Sequence, residues 1–466
     1  MVKPIGLLHE PLLESGAGNG RRVLGKHDSA IEQFVASQPL RPEDVVYPTN
    51  IAVVAATPTT VSLDDVSYQQ RLDHLLENLP GQNLAGFVTM ALFAGYASLF
   101  SLQHVIKTDF GIPDDDSSDS HNFSFAITCM YVCNLVFRVG HNFILRSVSP
   151  RMRALVGLAC MSTAMMILAI FVVAFQIKAI CLVAVAYSFG GIAVGTFETN
   201  YSVVLAALGH RTKIIGISGI PIGIFLVIVP GFIAVTAGLP VEYIYWSVFA
   251  MLLGGMAILL NGLTFPEIDW LLSSAESLGG RTLDDGLEDI EVEARESEAP
   301  GSLAWVMPVV SVGLVFTVNM LVVSAFSPGV LLYLYNTPRI PIQTPWWSGE
   351  VLTGYFFAIF SSFGFIADVV SRKRVYSRKP SVHPVWFLPF TMLGVVVIGT
   401  GIPAIAPIGT LSIFFGNGSI YAQSCRWIDM RIKRDLVFAN SLFFFLGDCG
   451  SVIGSFLIPF IRDIMA

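Results

Sequence analysis

The chain has 466 residues, of which 54% belong to the AVILMFWYC set and only 13% are charged, and its mean hydropathy is +0.67. A soluble domain carries about 25% charged residues, so this chain cannot cover a water-facing surface, and a soluble enzyme, a nucleic-acid reader and a disordered regulator are excluded. The net charge of −7 is local: eleven acids and two bases between Pro266 and Pro300 give that stretch −9 and leave the rest at +2.

In chain order, a polar arm over 1–82 comes first. Leu72, Leu75, Leu76 and Leu79 recur in it at helical spacing before Pro80-Gly81, which predicts a helix over 63–79, either lying on the inner membrane face or plainly cytosolic. A polar opening of this length is not a cleavable signal peptide. Eleven windows long enough to cross a bilayer follow, at about 84–106, 123–145, 154–175, 179–207, 214–237, 243–265, 304–335, 350–370, 384–402, 404–424 and 438–461. Backbone groups in lipid must pair internally, so each is read as a helix. Pro328 and Gly329 interrupt the seventh and predict a kink or break there. The expected architecture is an all-α polytopic membrane protein in two bundles, 83–265 with six helices and 304–466 with five. The acidic segment 266–303 is expected to be a solvated cytoplasmic linker.

An odd number of spans puts the termini on opposite sides, and Lys and Arg decide which is which. With the N-terminus cytoplasmic, the inner loops hold fourteen bases and the outer ones only Lys107, Lys178, Arg339 and Arg462. The expected orientation is therefore N-in, C-out, in a plasma or internal membrane. The first outer loop then presents the sequon Asn122-Phe123-Ser124 on the glycosylated side.

Charges inside spans each cost about 2.5–3.5 kcal/mol at mid-membrane unless they face protein or water, so they mark candidate sites. Arg138, Glu198, Asp368 and Asp448 are such residues. Glu198 is placed to carry a proton or hold a polar solute, or to pair structurally with Arg138. Asp448 stands among Gly447, Gly450 and Gly454, and caps or bridges to a neighbouring helix. Glycines at this spacing, also at Gly191/Gly195 and Gly219/Gly223, predict close helix packing with mobile seams. His104 and His141 lie nearer span ends and read as structural. Asp368 and Arg372, four apart in the stretch from Gly364 to Arg374, share a helix face and can pair. Such a pair can dock on a neighbouring helix in one state and release it in another, as an inner gate requires; a plain basic anchor needs no aspartate. The six cysteines sit in apolar blocks, and Cys129 and Cys133 lack the neighbours of a metal site. No cofactor or metal is expected. The eight histidines are scattered, which argues against a membrane enzyme, and no G-x-x-x-x-G-K-[ST] pattern supports an ATP-driven pump.

The Gly364-to-Lys373 stretch resembles the major facilitator superfamily loop signature G-x-x-x-D-x-x-G-R-K, with Ser371 in place of the second glycine. Within that fold, eleven N-in spans, a sequon in the first outer loop and a long charged central loop resemble the equilibrative nucleoside transporters. So do Phe326-Ser327-Pro328, Asp368 with Arg372, Phe415-Gly416-Asn417-Gly418 and Phe443-Phe444-Phe445-Leu446. Gly95-Tyr96-Ala97 stands where that family has Pro-Trp-Asn, and Phe365 stands where it has asparagine. Phe438-Ala439, Asp448, Pro459 and Asp463, with Ser149-Pro150-Arg151, are similar to the battenin family on the same fold. The resemblance implies a secondary carrier of a small polar solute, a nucleoside or nucleobase or else another solute, working by alternating access and coupled or not to protons. A battenin-like organelle-membrane protein is the other implied reading. It also implies that Asp368, Arg372, Glu198, Arg138 and Asn417 serve the substrate or gate, with Gly364 and Lys373 completing the gate motif. The partners expected are the solute, the lipid bilayer and no nucleic acid.

Overall fold

The computed structural model describes residues 82–112, 118–263, 305–326, 337, 339–344, 346, 348–378, 382–432 and 436–465. All of them fall in one compact unit, Leu63–Ala466. The helix expected over 63–79, the acidic segment 266–303 and the Pro328-Gly329 break lie outside the described residues.

Each of the eleven apolar windows carries a helix. In chain order they are α1 (Gln82–Ser101), the short α2 (Gln103–Asp109), α3 (Ser118–Ile144), α4 (Pro150–Met166), α5 (Ile180–Ala207), α6 (His210–Thr236), α7 (Glu242–Ala257), α8 (Val306–Ser324), α9 (Thr353–Tyr376), α10 (Leu388–Gly399), α11 (Ala406–Arg431) and α12 (Leu436–Met465). Among the described residues, nine helices are long and apolar enough to span a membrane, and Pro384–Gly399 is a shorter apolar one. α11 falls outside that set because its polar residues are numerous and turned inward. α4 and α7 continue as π-helical turns, Ile167–Ala174 and Ile258–Gly262.

Local chemistry sets several boundaries. Ser149 caps α4 by accepting from the Met152 amide, with Pro150 at the first helical position where its missing N–H is harmless. α5 stops at Gly209, whose φ of +93° is the left-handed conformation glycine adopts freely. The eighth window opens differently from expectation. Its first residues belong to an antiparallel hairpin, β1 (Arg339–Gln343) with β2 (Ser348–Leu352), in which Ile340 pairs with Val351, and the helix starts only at Thr353. α8 runs from Val306 to Ser324 and continues as a π-helical turn through residues 325 and 326; the rest of the seventh window lies outside the described residues.

Two sets of helices result. α1 packs on α6 and α7, and α5 on α3 and α4; in the second set α9 and α10 pack on α11, and α8 on α12. The sets meet where α6 lies against α9 and where α12 crosses α3 and α5. The glycine pairs work within sets. A Cβ on Gly195 would lie 2.7 Å from the Asn134 carbonyl oxygen and 3.1 Å from the Arg138 amide, and one on Gly454 would lie against the Leu321 carbonyl. The seams are thus close backbone-to-backbone joints within each set, as the glycine spacing predicts. Large apolar side chains such as Phe125, Val136, Phe143 and Phe456 are exposed on the outside, an arrangement stable only against hydrocarbon. This is a multi-pass integral membrane protein.

Candidate functional site

At one end of the bundle, called here the basic end, α3, α5, α9 and α11 finish and α6 and α12 begin. From mid-depth toward that end runs a connected series of buried polar groups, built by helices of both sets.

Arg138 is its first centre. Its Nε donates to Asp448 Oδ2 at 2.8 Å, Nη2 to Glu198 Oε2 at 2.9 Å and Nη1 to the Val194 carbonyl at 3.2 Å. The guanidinium carbon also lies 5.2 Å from the centre of the Phe444 ring. Gly195 makes this reach available, because α5 comes close enough to α3 to offer both the Val194 carbonyl and the Glu198 carboxylate. Three helices, α3, α5 and α12, therefore share one guanidinium, a geometry suited to arginine's planar fork. The Arg138–Glu198 pair expected from the sequence exists, and Asp448 does bridge to a neighbour, across the interface between the two sets.

The second centre is Arg372. Its Nε and Nη2 donate to Asp368 Oδ1 and Oδ2 at 2.9 and 3.1 Å, a bidentate pair along one face of α9. Gly418 of α11 leaves room for it: a Cβ there would sit 2.8 Å from the Asp368 carbonyl oxygen and run into the Ser371 hydroxyl. Arg372 is buried over the Tyr421 ring at 4.1 Å, whereas Lys373 and Arg374 are exposed. Tyr421 joins the two centres, since its hydroxyl donates to Glu198 Oε1 at 3.1 Å. The order is thus Asp448, Arg138, Glu198, Tyr421, Arg372, Asp368.

Nearer the basic end lies a third layer. Lys213 Nζ of α6 meets the Asp429 carboxylate of α11 at 2.6 Å, and the Tyr376 hydroxyl donates to the same carboxylate at 2.6 Å. His210 stacks on Tyr376 at 5.0 Å, and the buried Arg426 guanidinium lies 5.6 Å from the centre of that ring. Across the molecule, Asn142 Nδ2 of α3 donates to Ser441 Oγ of α12 at 2.9 Å. Both contacts tie the two sets together.

Other sequence candidates fall elsewhere. Asn417 accepts from Asn319 Nδ2 at 2.8 Å, and Thr391 donates to Asn319 Oδ1 at 2.9 Å, so Asn417 belongs to a buried amide and hydroxyl network inside the second set. Gly364 packs against Phe414 and Thr410 of α11. His141 is buried with Nδ1 2.7 Å from the Phe137 carbonyl, a structural arrangement, and the His104 side chain lies outside the described residues. Asn122 is exposed near the start of α3. Among the described residues, no group of three or more His, Cys, Asp or Glu side chains is placed to hold a metal ion.

Sequence reasoning passed over Tyr421, Tyr376, Lys213 and Asp429. Lys213, Arg153, Arg372 and Arg426 belong to the fourteen bases assigned to the inner side, and all four are buried, leaving ten inner bases against four outer ones. The available signal was Asp429, an acid among Arg426, Arg431, Lys433 and Arg434.

No family model and no curated protein matches the sequence. Solved structures do. The human organic anion transporter MFSD10 (TETRAN) superposes with a TM-score of 0.51 at 13% identity, over 81% of this chain and 92% of that one. The E. coli fucose:proton symporter FucP gives 0.55 at 13% identity, over 81% and 91%, and a double-tryptophan form of XylE gives 0.57 at 12%, over 85% and 89%. With its two helix sets meeting across a buried polar plane, the chain has the fold of the major facilitator superfamily transporters.

Proposed function

We propose that this protein is a secondary transporter that moves a small polar solute by alternating access, its two helix sets rocking about the buried plane between them. One observation carries the reading. Charged side chains from four helices of both sets are held together inside an apolar protein, where each would be costly without a task. The Lys213–Asp429 and Asn142–Ser441 contacts close the basic end. On the positive-inside reading, with the N-terminus cytoplasmic, this is the state shut toward the cytoplasm. Asp368 and Arg372 act as the gate pair or line the solute path, and the acidic segment 266–303 links the two halves. Glu198, between Arg138 and Tyr421, is the candidate proton carrier.

The resemblance to the equilibrative nucleoside transporters makes a nucleoside or nucleobase the first solute to test. The structural neighbours include an organic anion transporter and a fucose:proton symporter by name, so another carrier specificity is the alternative. The test is uptake by proteoliposomes of adenosine, uracil, amino acids, hexoses and organic ions. Saturable uptake of one class, abolished by Arg372→Ala, is expected; no uptake above empty liposomes overturns the reading. Glu198→Gln is expected to remove the pH dependence of uptake, and unchanged rate and pH profile would sink proton coupling at this residue.

A further inference from the structure

The mid-depth cluster does not balance its charge. Glu198, Asp448 and Asp368 bring three carboxylates, and Arg138 and Arg372 bring two guanidinium groups. The Asp368–Arg372 pair is closed on itself, which leaves Arg138 to serve both Glu198 and Asp448. The other nearby groups are neutral or committed elsewhere. Tyr421 donates to Glu198, Tyr96 of α1 lies within electrostatic reach of Asp448, Glu198 and Arg138, and His141 sits one turn along α3 against a backbone carbonyl. Lys213 is matched to Asp429, Arg426 lies against Tyr376, and Arg153 donates to the Leu145 and Val148 carbonyls. A buried cluster with one surplus negative charge is unfavourable unless a proton or another cation completes it.

The surplus is also localised. Both Glu198 oxygens are engaged, Oε2 by Arg138 and Oε1 by Tyr421. Of Asp448, only Oδ2 is engaged among the described residues, and its side chain is the most accessible of the three in the triad, at 19% against 12% for Glu198 and 2% for Arg138. The open valence is therefore Asp448 Oδ1, whose partner oxygen is held by the Arg138 guanidinium. Aromatic rings stand nearby: Phe444, one turn before Asp448 on α12, lies beneath Arg138, and Tyr96, within electrostatic reach of Asp448, is edge-on to Phe93 and stacked on Phe100. Ring faces stabilise an organic cation and offer a bare proton nothing.

We infer that the solute bears a protonated nitrogen, which Asp448 Oδ1 receives while Arg138 and Glu198 hold Asp448 in place. This rests on the carrier reading and narrows the solute within it. The ammonium completes the charge of the cluster on binding and restores the surplus on leaving, so an empty carrier holds the charge that attracts the next solute.

The test uses the purified full-length protein and three shape-matched probes, phenethylamine, 2-phenylethanol and phenylacetate, with adenosine as an uncharged control, read by thermal stabilisation. Phenethylamine is expected to stabilise the wild type in a saturable manner and the other three not to. Asp448→Asn is expected to weaken its binding by about tenfold or more, as for loss of a charge-assisted hydrogen bond, while Asp448→Glu retains the preference. Equal response to 2-phenylethanol, preference for phenylacetate or adenosine, or undiminished binding by Asp448→Asn overturns the inference, as does a carrier driven by pH alone on which no amine acts. Failure of the carrier reading looks different: the amine binds through Asp448, but no solute crosses a liposome membrane.

Discussion

Replacing Lys213 with methionine keeps most of the side-chain volume and removes one charge from the joint at the basic end. Asp429 then stays buried with Tyr376 still donating to it but without the ammonium 2.6 Å away. Breaking a buried ion pair from one side costs about 3–5 kcal/mol. The cost applies to the state in which α6 and α11 are closed on each other, because once they part water reaches the carboxylate. At about 1.4 kcal/mol per factor of ten, the closed-to-open ratio should fall by about a hundred to a few thousandfold. Cys425 is a native reporter, buried one turn from both Asp429 and Tyr421 on α11. With the other five cysteines replaced, its alkylation by a small maleimide should be slow in the parent and faster by about two orders of magnitude in Lys213→Met. Asp429→Asn added to Lys213→Met removes the stranded charge and should return most of the protection. Unchanged alkylation in the single variant, or no return in the double, would refute the assignment of this pair as the closure of the basic end.

Other expectations follow from the same geometry. Arg138→Met should leave Glu198 and Asp448 confronting each other and cost about 3–5 kcal/mol in thermal unfolding, with Glu198→Gln and Asp448→Asn together restoring most of it. Gly195→Val should press on the Asn134 carbonyl and the Arg138 amide and destabilise by about 1–3 kcal/mol, as overpacking does. Asn319→Leu should strand Asn417 and Thr391 and lower stability by about 1–3 kcal/mol while leaving solute selectivity unchanged; a changed selectivity would move Asn417 into the solute path.

Hydropathy located a helix in each of the eleven windows because apolar residues dominate each one, but the same measure undervalues α11. Asn417, Ser419, Gln423, Ser424, Arg426 and Asp429 are all buried on that helix, so its polar side is its interior. The hairpin from Arg339 to Leu352 escaped notice because its apolar residues alternate over a few positions, too short a signal for a window set to membrane thickness. Asp368 and Arg372 could be paired from their spacing alone. Asp448 and Arg138 are 310 positions apart, and Lys213 and Asp429 are 216 apart, so their pairing depends on how α12 meets α3 and α6 meets α11. Spacing along a chain carries no record of that. Tyr421 was invisible for another reason: an aromatic in an apolar span reads as packing, and only the position of its hydroxyl shows otherwise.

The glycine joints have a mechanical corollary. Where Gly195 lies on Asn134, or Gly454 on Leu321, backbones touch without intervening side chains, and such contacts have little compliance. Between the two sets, by contrast, the contacts run through side chains, among them Arg138 with Asp448, Lys213 with Asp429 and Asn142 with Ser441. On the proposed rocking motion, the give would lie in that surface and each set would act as a stiff lever with its fulcrum near Arg138. A small slip at that fulcrum is magnified toward the membrane faces, so a crosslink joining α3 to α5 should be silent, whereas one joining α3 to α12 should arrest the cycle.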